Sequence, residues 1–444
     1  MRICIVGSGI AGLITGQNMI DKMDKMEDIK ITYIESEEDT GLGTSKGPAA
    51  LTLFKNIDTG SNIEDVRIDV DCYRDIRFNR YIWNYIKNKL TESEDRSSIL
   101  EENYRIFKEF IRKHKRLGEC CVKDGAIYVY HNEDNYKKAK KKLENSEDYE
   151  ILTLERLREI EPCMKEEKGI CGGIFSRHDG YINCNDFMRK LTENLRESKR
   201  VEFRFNCDVR RIENREDMVY IEYIENKKEV SEYFDKVILC TGHRTAELLS
   251  EIDGDIKYKL YPLKGYSITV PNNIERELIP KYGIIYKDKV KFLRSYRTGE
   301  CNENDNENIG ARIGGIIHFD TKYNTKDAYK IDNNFIKKEF KDTEIGKYLY
   351  EQKNKILWSG YRPESYNGRA IVKKYKNIYV NTGYGTNGFV LVWKASKEVV
   401  KSLNKSLNKK EIIENENENI LMQNYLLIIL ILSILLILFN NIIL

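Results

Sequence analysis

The segment Ile3-Cys-Ile-Val-Gly7-Ser8-Gly9-Ile10-Ala11-Gly12 constrains this chain more than any other. An apolar, β-branched run enters a G-x-G-x-x-G turn. A helical pattern leaves it, with Ile10, Leu13, Ile14, Ile20 and Met23 on one face. Gly7 makes the tight turn, Gly9 lets backbone approach a pyrophosphate, and Gly12 lets the helix pack closely on the strand. Ser8, Ile10 and Ala11 complete the cradle, and the helix N-terminus contributes the positive end of its dipole. A second strand, Ile31 to Ile34, ends on Glu35. An acid there accepts hydrogen bonds from ribose hydroxyls and repels a 2′-phosphate. The pattern predicts a dinucleotide site for FAD or NAD and disfavours NADP.

At 444 residues the chain exceeds one hydrophobic core, so two or more domains are expected. Lys and Arg number 74 against 71 Asp and Glu, a balance that argues against nucleic acid as the partner. The ten cysteines form no Cys-x-x-Cys pair, and reduced thiols are expected. Five histidines show no metal-binding spacing, so no protein-built metal site is expected.

Three later segments favour FAD. Gly41 to Ala50, containing Gly43-Thr44-Ser45-Lys46-Gly47-Pro48, is a small-residue loop on which a bulky ring system would lie close to backbone. Val237-Ile-Leu-Cys-Thr241-Gly242 is a strand ending in a glycine turn. Ile378 to Thr382 feeds Gly383-Tyr384-Gly385-Thr386-Asn387-Gly388, and a helical pattern follows from Phe389 to Leu403. That second helix N-terminus would stabilise the negative N1–C2=O edge of a reduced flavin, which an NAD enzyme has no need of.

These segments together resemble the FAD-dependent D-amino-acid oxidase superfamily, above all the small subunits of its D-amino-acid dehydrogenases. The most specific stretches are Tyr261-Pro-Leu-Lys264-Gly265-Tyr266-Ser267-Ile-Thr-Val-Pro271 and Ser359-Gly-Tyr-Arg362-Pro363 followed by Asn381 to Gly388. The sequence departs from the family at Gly47-Pro48-Ala49-Ala50, Tyr384, Asn367 and Ala370, where flavin and substrate would meet. The resemblance implies an α/β fold, α+β overall. A Rossmann-type FAD-binding domain from residues 1–50, 170–245 and 355–405 would interleave with a substrate domain from 51–169 and 246–354, the latter on a mixed or antiparallel sheet. Val201 to Val209, Val219 to Tyr223 and Val237 to Cys240 would be middle strands of the FAD domain. FAD would be held by Gly7, Ser8, Gly9, Ile10, Ala11, Gly12, Glu35, Thr44, Ser45, Val209, Thr241, Gly242, Gly385, Thr386 and Gly388.

Oxidising an amino acid at Cα moves a hydride to flavin N5, and the protein must hold the Cα–H against it. A guanidinium binds the substrate carboxylate as a planar fork. The resemblance makes Arg362, in a turn stiffened by Pro363, that clamp, with Tyr266 and Tyr384 bonding the substrate or walling the site. The expected reaction is oxidation of the C–N bond of a D-amino acid or secondary amine, with O₂ or a membrane quinone taking the electrons. A 2-hydroxyacid oxidoreductase of the same fold, or a catalytically inactive membrane-tethered flavin-binding or interaction protein, are the alternatives.

From Ile420 to Leu444 no residue is charged. About 25 residues make roughly 37 Å of helix, enough for a hydrocarbon core of ~30 Å. The run is apolar on every side, which excludes a surface-lying amphipathic helix. The sequence therefore predicts a linker over 406–419 and a single C-terminal membrane anchor over 420–444. The lysines at 401, 405, 409 and 410 would hold the catalytic part on the cytosolic side.

Overall fold

The computed structural model describes residues 1–22, 29–48, 50–55, 66–91, 96–289, 291–297, 309–320 and 331–408. Met1–Val400 forms one compact unit and Lys401–Leu444 a second. The helix Gly388–Asn408 runs into the segment expected to be linker. The remaining linker, the expected anchor over 420–444 and the polar stretch Asn302 to Asn308 lie outside the described residues. Among the described residues no helix is long and apolar enough to cross a membrane.

Within Met1–Val400 the described strands form three sheets. The six-stranded sheet runs Ile371–Tyr375, Ile378–Thr382, Lys236–Leu239, Arg2–Val6, Lys30–Ile34, Val201–Arg204. From Ile378–Thr382 onward every pairing is parallel, and only the edge strand Ile371–Tyr375 is antiparallel. The strands Arg2–Val6, Lys30–Ile34 and Lys236–Leu239 are apolar and nearly continuously buried, as strands covered on both faces must be. Their parallel pairing puts Gly7, Glu35, Thr241 and Gly383 at one edge, beyond the strands' carboxyl ends, where doubly wound sheets bind ligands.

The segment Val201 to Val209 is not one strand. It breaks after Arg204, with Asn206 at φ +56°, and Cys207–Arg215 starts a three-stranded antiparallel sheet with Met218–Glu225 and Lys228–Phe234. A left-handed Asn at the break lets the chain leave one sheet for the next.

The ten-stranded sheet runs Ile356–Ser365, Leu260–Val270, Ile309–Phe319, Lys291–Arg297, Gly283–Tyr286, Val122–Tyr130, Gly172–Ile182, Leu51–Thr52. Val66–Ile68 and Tyr149–Leu152 pair at its side. It is mixed, with antiparallel pairs around Leu260–Val270 and a parallel pair between Gly283–Tyr286 and Val122–Tyr130. Gly172–Ile182 and Ile356–Ser365, which fall inside the segments expected for the FAD-binding domain, pair here. The strand Leu260–Val270 is buried at every position.

Candidate functional site

The cradle has the geometry its glycines require. Gly7 stands at φ +96°, and a β-carbon there would lie 2.6 Å from the Cys240 carbonyl oxygen. A β-carbon on Gly12 would collide with the Gly7 carbonyl, so helix Ile10–Lys22 packs on the turn only because both are glycine. Gly9 is open: its added β-carbon would meet only the Ser45 hydroxyl, at 3.1 Å. That hydroxyl accepts the Ile10 N–H at 3.2 Å, placing the Thr44-Ser45 turn across the helix N-terminus. Ala11 is buried in the first turn. Glu35 is buried and accepts from the Ser8 N–H (2.6 Å), the Ser8 hydroxyl (2.8 Å) and the Glu37 N–H (3.0 Å). Its carboxylate is thereby fixed at the cradle's rim.

The other predicted cofactor residues converge on the same sheet edge. The Thr44 hydroxyl donates to the Tyr361 carbonyl at 2.7 Å and so joins the cradle to the larger sheet. Thr241 Oγ1 is 2.9 Å from Thr245 Oγ1, and the Thr382 hydroxyl donates to the Gly242 carbonyl at 2.9 Å. Added β-carbons at Gly242 and Gly388 would meet nothing within 4 Å, so backbone is open there. Gly385 and Thr386 form the 3₁₀ turn that opens helix Gly388–Asn408. Val209 lies on Cys207–Arg215, its carbonyl accepting from Arg244 at 3.2 Å. Two open glycines, a cradle bare at Gly9 and a fixed acid fit an extended dinucleotide along this edge.

Arg362 sits on the strand Ile356–Ser365, not in a turn. Pro363 is paired opposite Pro262, where neither ring removes a needed donor. Strand alternation gives Trp358, Gly360, Arg362 and Glu364 one face of the sheet. Gly360 pairs with Gly265. A β-carbon on Gly265 would collide with the Arg362 guanidinium, and one on Gly360 or Gly47 with the Trp358 indole. The glycine pair is thus a floor on which the guanidinium and the indole lie. Among the described residues the buried indole Nε1 finds no hydrogen-bond partner.

The Arg362 guanidinium donates from Nη1 to the Ile316 carbonyl (2.9 Å) and from Nη2 to the Gly315 carbonyl (3.1 Å). Both acceptors sit where pairing with Leu260–Val270 slips between Lys264 and Tyr266. Ile316 is at φ +64°, a strained conformation for a β-branched residue. The bulge turns two carbonyls onto the arginine. Among the described residues no carboxylate is bonded to this guanidinium. Burial lowers its pKa to about 10, against the raising effects of Glu364 and Tyr266. A partly buried cation held by neutral dipoles has the chemistry to take an anion.

The two tyrosines sit elsewhere. Tyr266 pairs with Ser359 and takes the opposite face, in a core cluster with Ile268, Val270, Ile336 and Phe340. Its hydroxyl is 2.8 Å from His318 Nδ1, whose Nε2 is 2.9 Å from Asp69. Burial holds its pKa well above the usual tyrosine value. Tyr384 is buried too, its hydroxyl donating to Asn381 Oδ1. Asn381 in turn donates to Thr15 (2.9 Å) and Ser396 (3.2 Å), a network that ties the strand Ile378–Thr382 to two helices. Of the three catalytic candidates, Arg362 alone stands on the face shared with Gly47 and Gly360. Sequence reasoning missed Trp358, Glu364 and the Gly265–Gly360 floor. The signal was present: positions 358, 360, 362 and 364 share a face once 356–365 is read as a strand.

Comparison with known proteins agrees with this fold. D-amino acid dehydrogenase of Helicobacter pylori is 25% identical over 406 residues, covering 87% of this chain and 91% of the relative. Among solved structures, glycine oxidase from Bacillus cereus superposes with a TM-score of 0.60 at 17% identity, over 93% of this chain and 99% of that one. L-proline dehydrogenase from P. horikoshii gives 0.57 at 15% identity, over 91% and 93%. At these identities the superpositions speak for the fold. The family of FAD-dependent oxidoreductases designated DAO matches residues 2–402, and with that span, its cradle and its switch-point edge accounted for, the chain belongs to this family and is an FAD-dependent enzyme.

Proposed function

We propose that the protein oxidises the C–N bond of an amino acid, a D-amino acid or a secondary amine, with Arg362 holding the substrate carboxylate. The observation that carries this reading is the largely buried Arg362 guanidinium, bound among the described residues by the carbonyls of Gly315 and Ile316 and laid on Gly265. The similar proteins support it: one is named a D-amino acid dehydrogenase, another a glycine oxidase, a third an L-proline dehydrogenase. FAD, when bound, supplies the hydride-accepting chemistry at N5. The chain's own part is to hold the cofactor through Gly7 to Gly12, Glu35, Thr44, Ser45, Thr241, Gly242 and the turn Gly385 to Gly388. Arg362 then fixes the substrate at one end, and the glycine floor lets it lie close to the sheet.

The test is anaerobic flavin reduction by a panel of D-amino acids, glycine, sarcosine and proline in wild type, Arg362→Ala and Arg362→Lys. Losing a desolvated charge-assisted pair costs about 2–5 kcal/mol, or some tens- to thousands-fold in rate. Lys lacks the planar fork and should not rescue. Flavin reduced as fast in Arg362→Ala as in wild type would overturn the assignment.

The uncharged run from Ile420 to Leu444 supports a second part of the reading, a membrane anchor with the enzyme on the cytosolic side and O₂ or a membrane quinone as electron acceptor. Carbonate extraction of the full chain tests the anchor, since release into the supernatant would sink it. Comparing reoxidation by O₂ with reoxidation by a soluble quinone tests the acceptor.

A further inference from the structure

Large apolar side chains left in water are concentrated in one stretch of this chain. Among the described residues nine are more than a third exposed, and six of them, Val70, Tyr73, Ile76, Trp83, Tyr85 and Ile86, fall between positions 70 and 86. They sit on the 3₁₀ turn Val70–Arg74 and the helix Ile76–Thr91 that follows it. The helix already has a buried face: Phe78 and Tyr81 pack with Tyr261, Leu263 and Phe319. At about 3.6 residues per turn, Ile76, Trp83 and Ile86 stand on the opposite side. Ile76 is 68% exposed and Trp83 64%. A surface helix ordinarily gives its outer face to polar side chains, and an apolar stripe there marks a contact surface.

The charges around the stripe choose among partners. Residues 70–91 carry five Lys and Arg against two Asp. Arg74 and Asp71, 3.7 Å apart, are both largely exposed. Arg80 lies over the Tyr258 ring at 4.5 Å, and Lys257 over the same ring at 5.1 Å. Beside the stripe, Arg80, Trp83, Asn84, Asp255, Tyr258 and Lys259 line an open groove of about 220 Å³. Indole and phenol rings favour the boundary between headgroups and acyl chains, and Arg and Lys beside them meet anionic phosphates. A second copy fits worse, because a two-fold contact would lay this basic face on itself, like charge on like.

We infer that the outer face of helix Ile76–Thr91, with the turn before it, docks on the surface of a bilayer that contains anionic lipid, Ile76, Trp83 and Ile86 entering the headgroup–acyl boundary. The choice of a bilayer draws in part on the anchor reading, under which the uncharged run from Ile420 to Leu444 keeps the chain at a membrane. The docked face goes beyond that reading. A tether sets distance, whereas a face sets orientation. This one would turn toward the lipid the side of the larger sheet on which Phe78 and Tyr81 pack.

The experiment uses the FAD-loaded full chain on vesicles of phosphatidylcholine and phosphatidylglycerol, the former brominated high on its acyl chains so that it quenches tryptophan on contact. The chain has 3 Trp. Trp393 is buried and Trp358 is packed on Gly47 and Gly360, which leaves Trp83 placed to meet lipid. Emission should be quenched in wild type, and the quenched part should vanish in Trp83→Phe. Ile76→Ser combined with Ile86→Ser, with Trp83 kept, should lower the quenching by about threefold or more. Vesicles without phosphatidylglycerol should lower it by about twofold or more. Melting temperature and flavin absorbance should match wild type in every variant, because the changed side chains are on the surface. Equal quenching in wild type and Trp83→Phe would overturn the proposal. So would a Trp83 that rising protein concentration, and not vesicles, shields from aqueous iodide, which would assign the face to a second copy. Carbonate release of the full chain, with Trp83 still quenched by added vesicles, would sink the anchor and uphold this face, so the two failures are distinguishable.

Discussion

The Arg362 guanidinium rests on the α-carbon of Gly265, on the neighbouring strand, so closely that a β-carbon at 265 would lie 2.1 Å from its Nη2. The contact makes a lysine-glycine-tyrosine-serine stretch part of the setting of Arg362, the residue proposed to hold the substrate carboxylate, without lending it a functional group. Gly265→Ala should therefore act on Arg362. The new methyl group forces the guanidinium off the carbonyls of Gly315 and Ile316, an overpacking that costs about 1–3 kcal/mol. The expected outcome is a fall in kcat/KM of about tenfold or more, carried mainly by KM, with FAD content unchanged. Steady-state kinetics on a flavin-saturated sample check this.

Gly9 and Gly12 belong to one motif but should fail differently. A β-carbon at Gly12 collides with the Gly7 carbonyl inside the protein, whereas one at Gly9 meets only the Ser45 hydroxyl. Gly12→Ala should destabilise the apoprotein itself, by about 1–3 kcal/mol. Gly9→Leu should leave the apoprotein melting near wild type and raise the FAD dissociation constant by about 100-fold, or ~2.7 kcal/mol. Thermal melts with and without added FAD separate the two.

The parallel edge and its ligand were readable because three of its strands run directly into Gly7, Glu35 and Gly383, residues whose purpose is local. The face of a side chain in the larger sheet was not. Leu260–Val270 is buried on both sides, so hydrophobic alternation cannot tell where Tyr266 points. That is decided by pairing with Ser359, nearly a hundred residues away in sequence. Reading Pro363 as the mark of a turn hid Glu364, since a turn has no period, while a strand puts position 364 beside 362. The proline is tolerated because it pairs with another proline, a long-range fact that no local pattern reports. Tyr384 was drawn to the site by its place in a glycine turn. Its hydroxyl is claimed by Asn381, in a polar network that only the packed helices complete.

His243 follows Gly242 at the end of the strand Lys236–Leu239 and is buried, its ring centre 5.7 Å from that of Tyr361. Burial, reinforced by the neighbouring Arg244 cation, lowers its pKa from 6.5 to about 4. The folded state thus resists a proton that the unfolded chain accepts at 6.5. The sign follows directly: the associated stability is full above pH 6.5 and is lost as the pH falls through about 4. Its size is ~3 kcal/mol, at 1.36 kcal/mol for each pH unit of displacement. His243 also lies between the cofactor turn at Gly242 and the strand that carries Arg362, so acid should loosen the junction before the core. Urea melts at pH 7.5 and 4.5 are expected to show a marked loss of stability in wild type. The loss should be clearly smaller in His243→Gln, which is weaker at neutral pH but carries no titrating ring. An equally steep acid slope in that variant would assign the pH dependence to other buried groups.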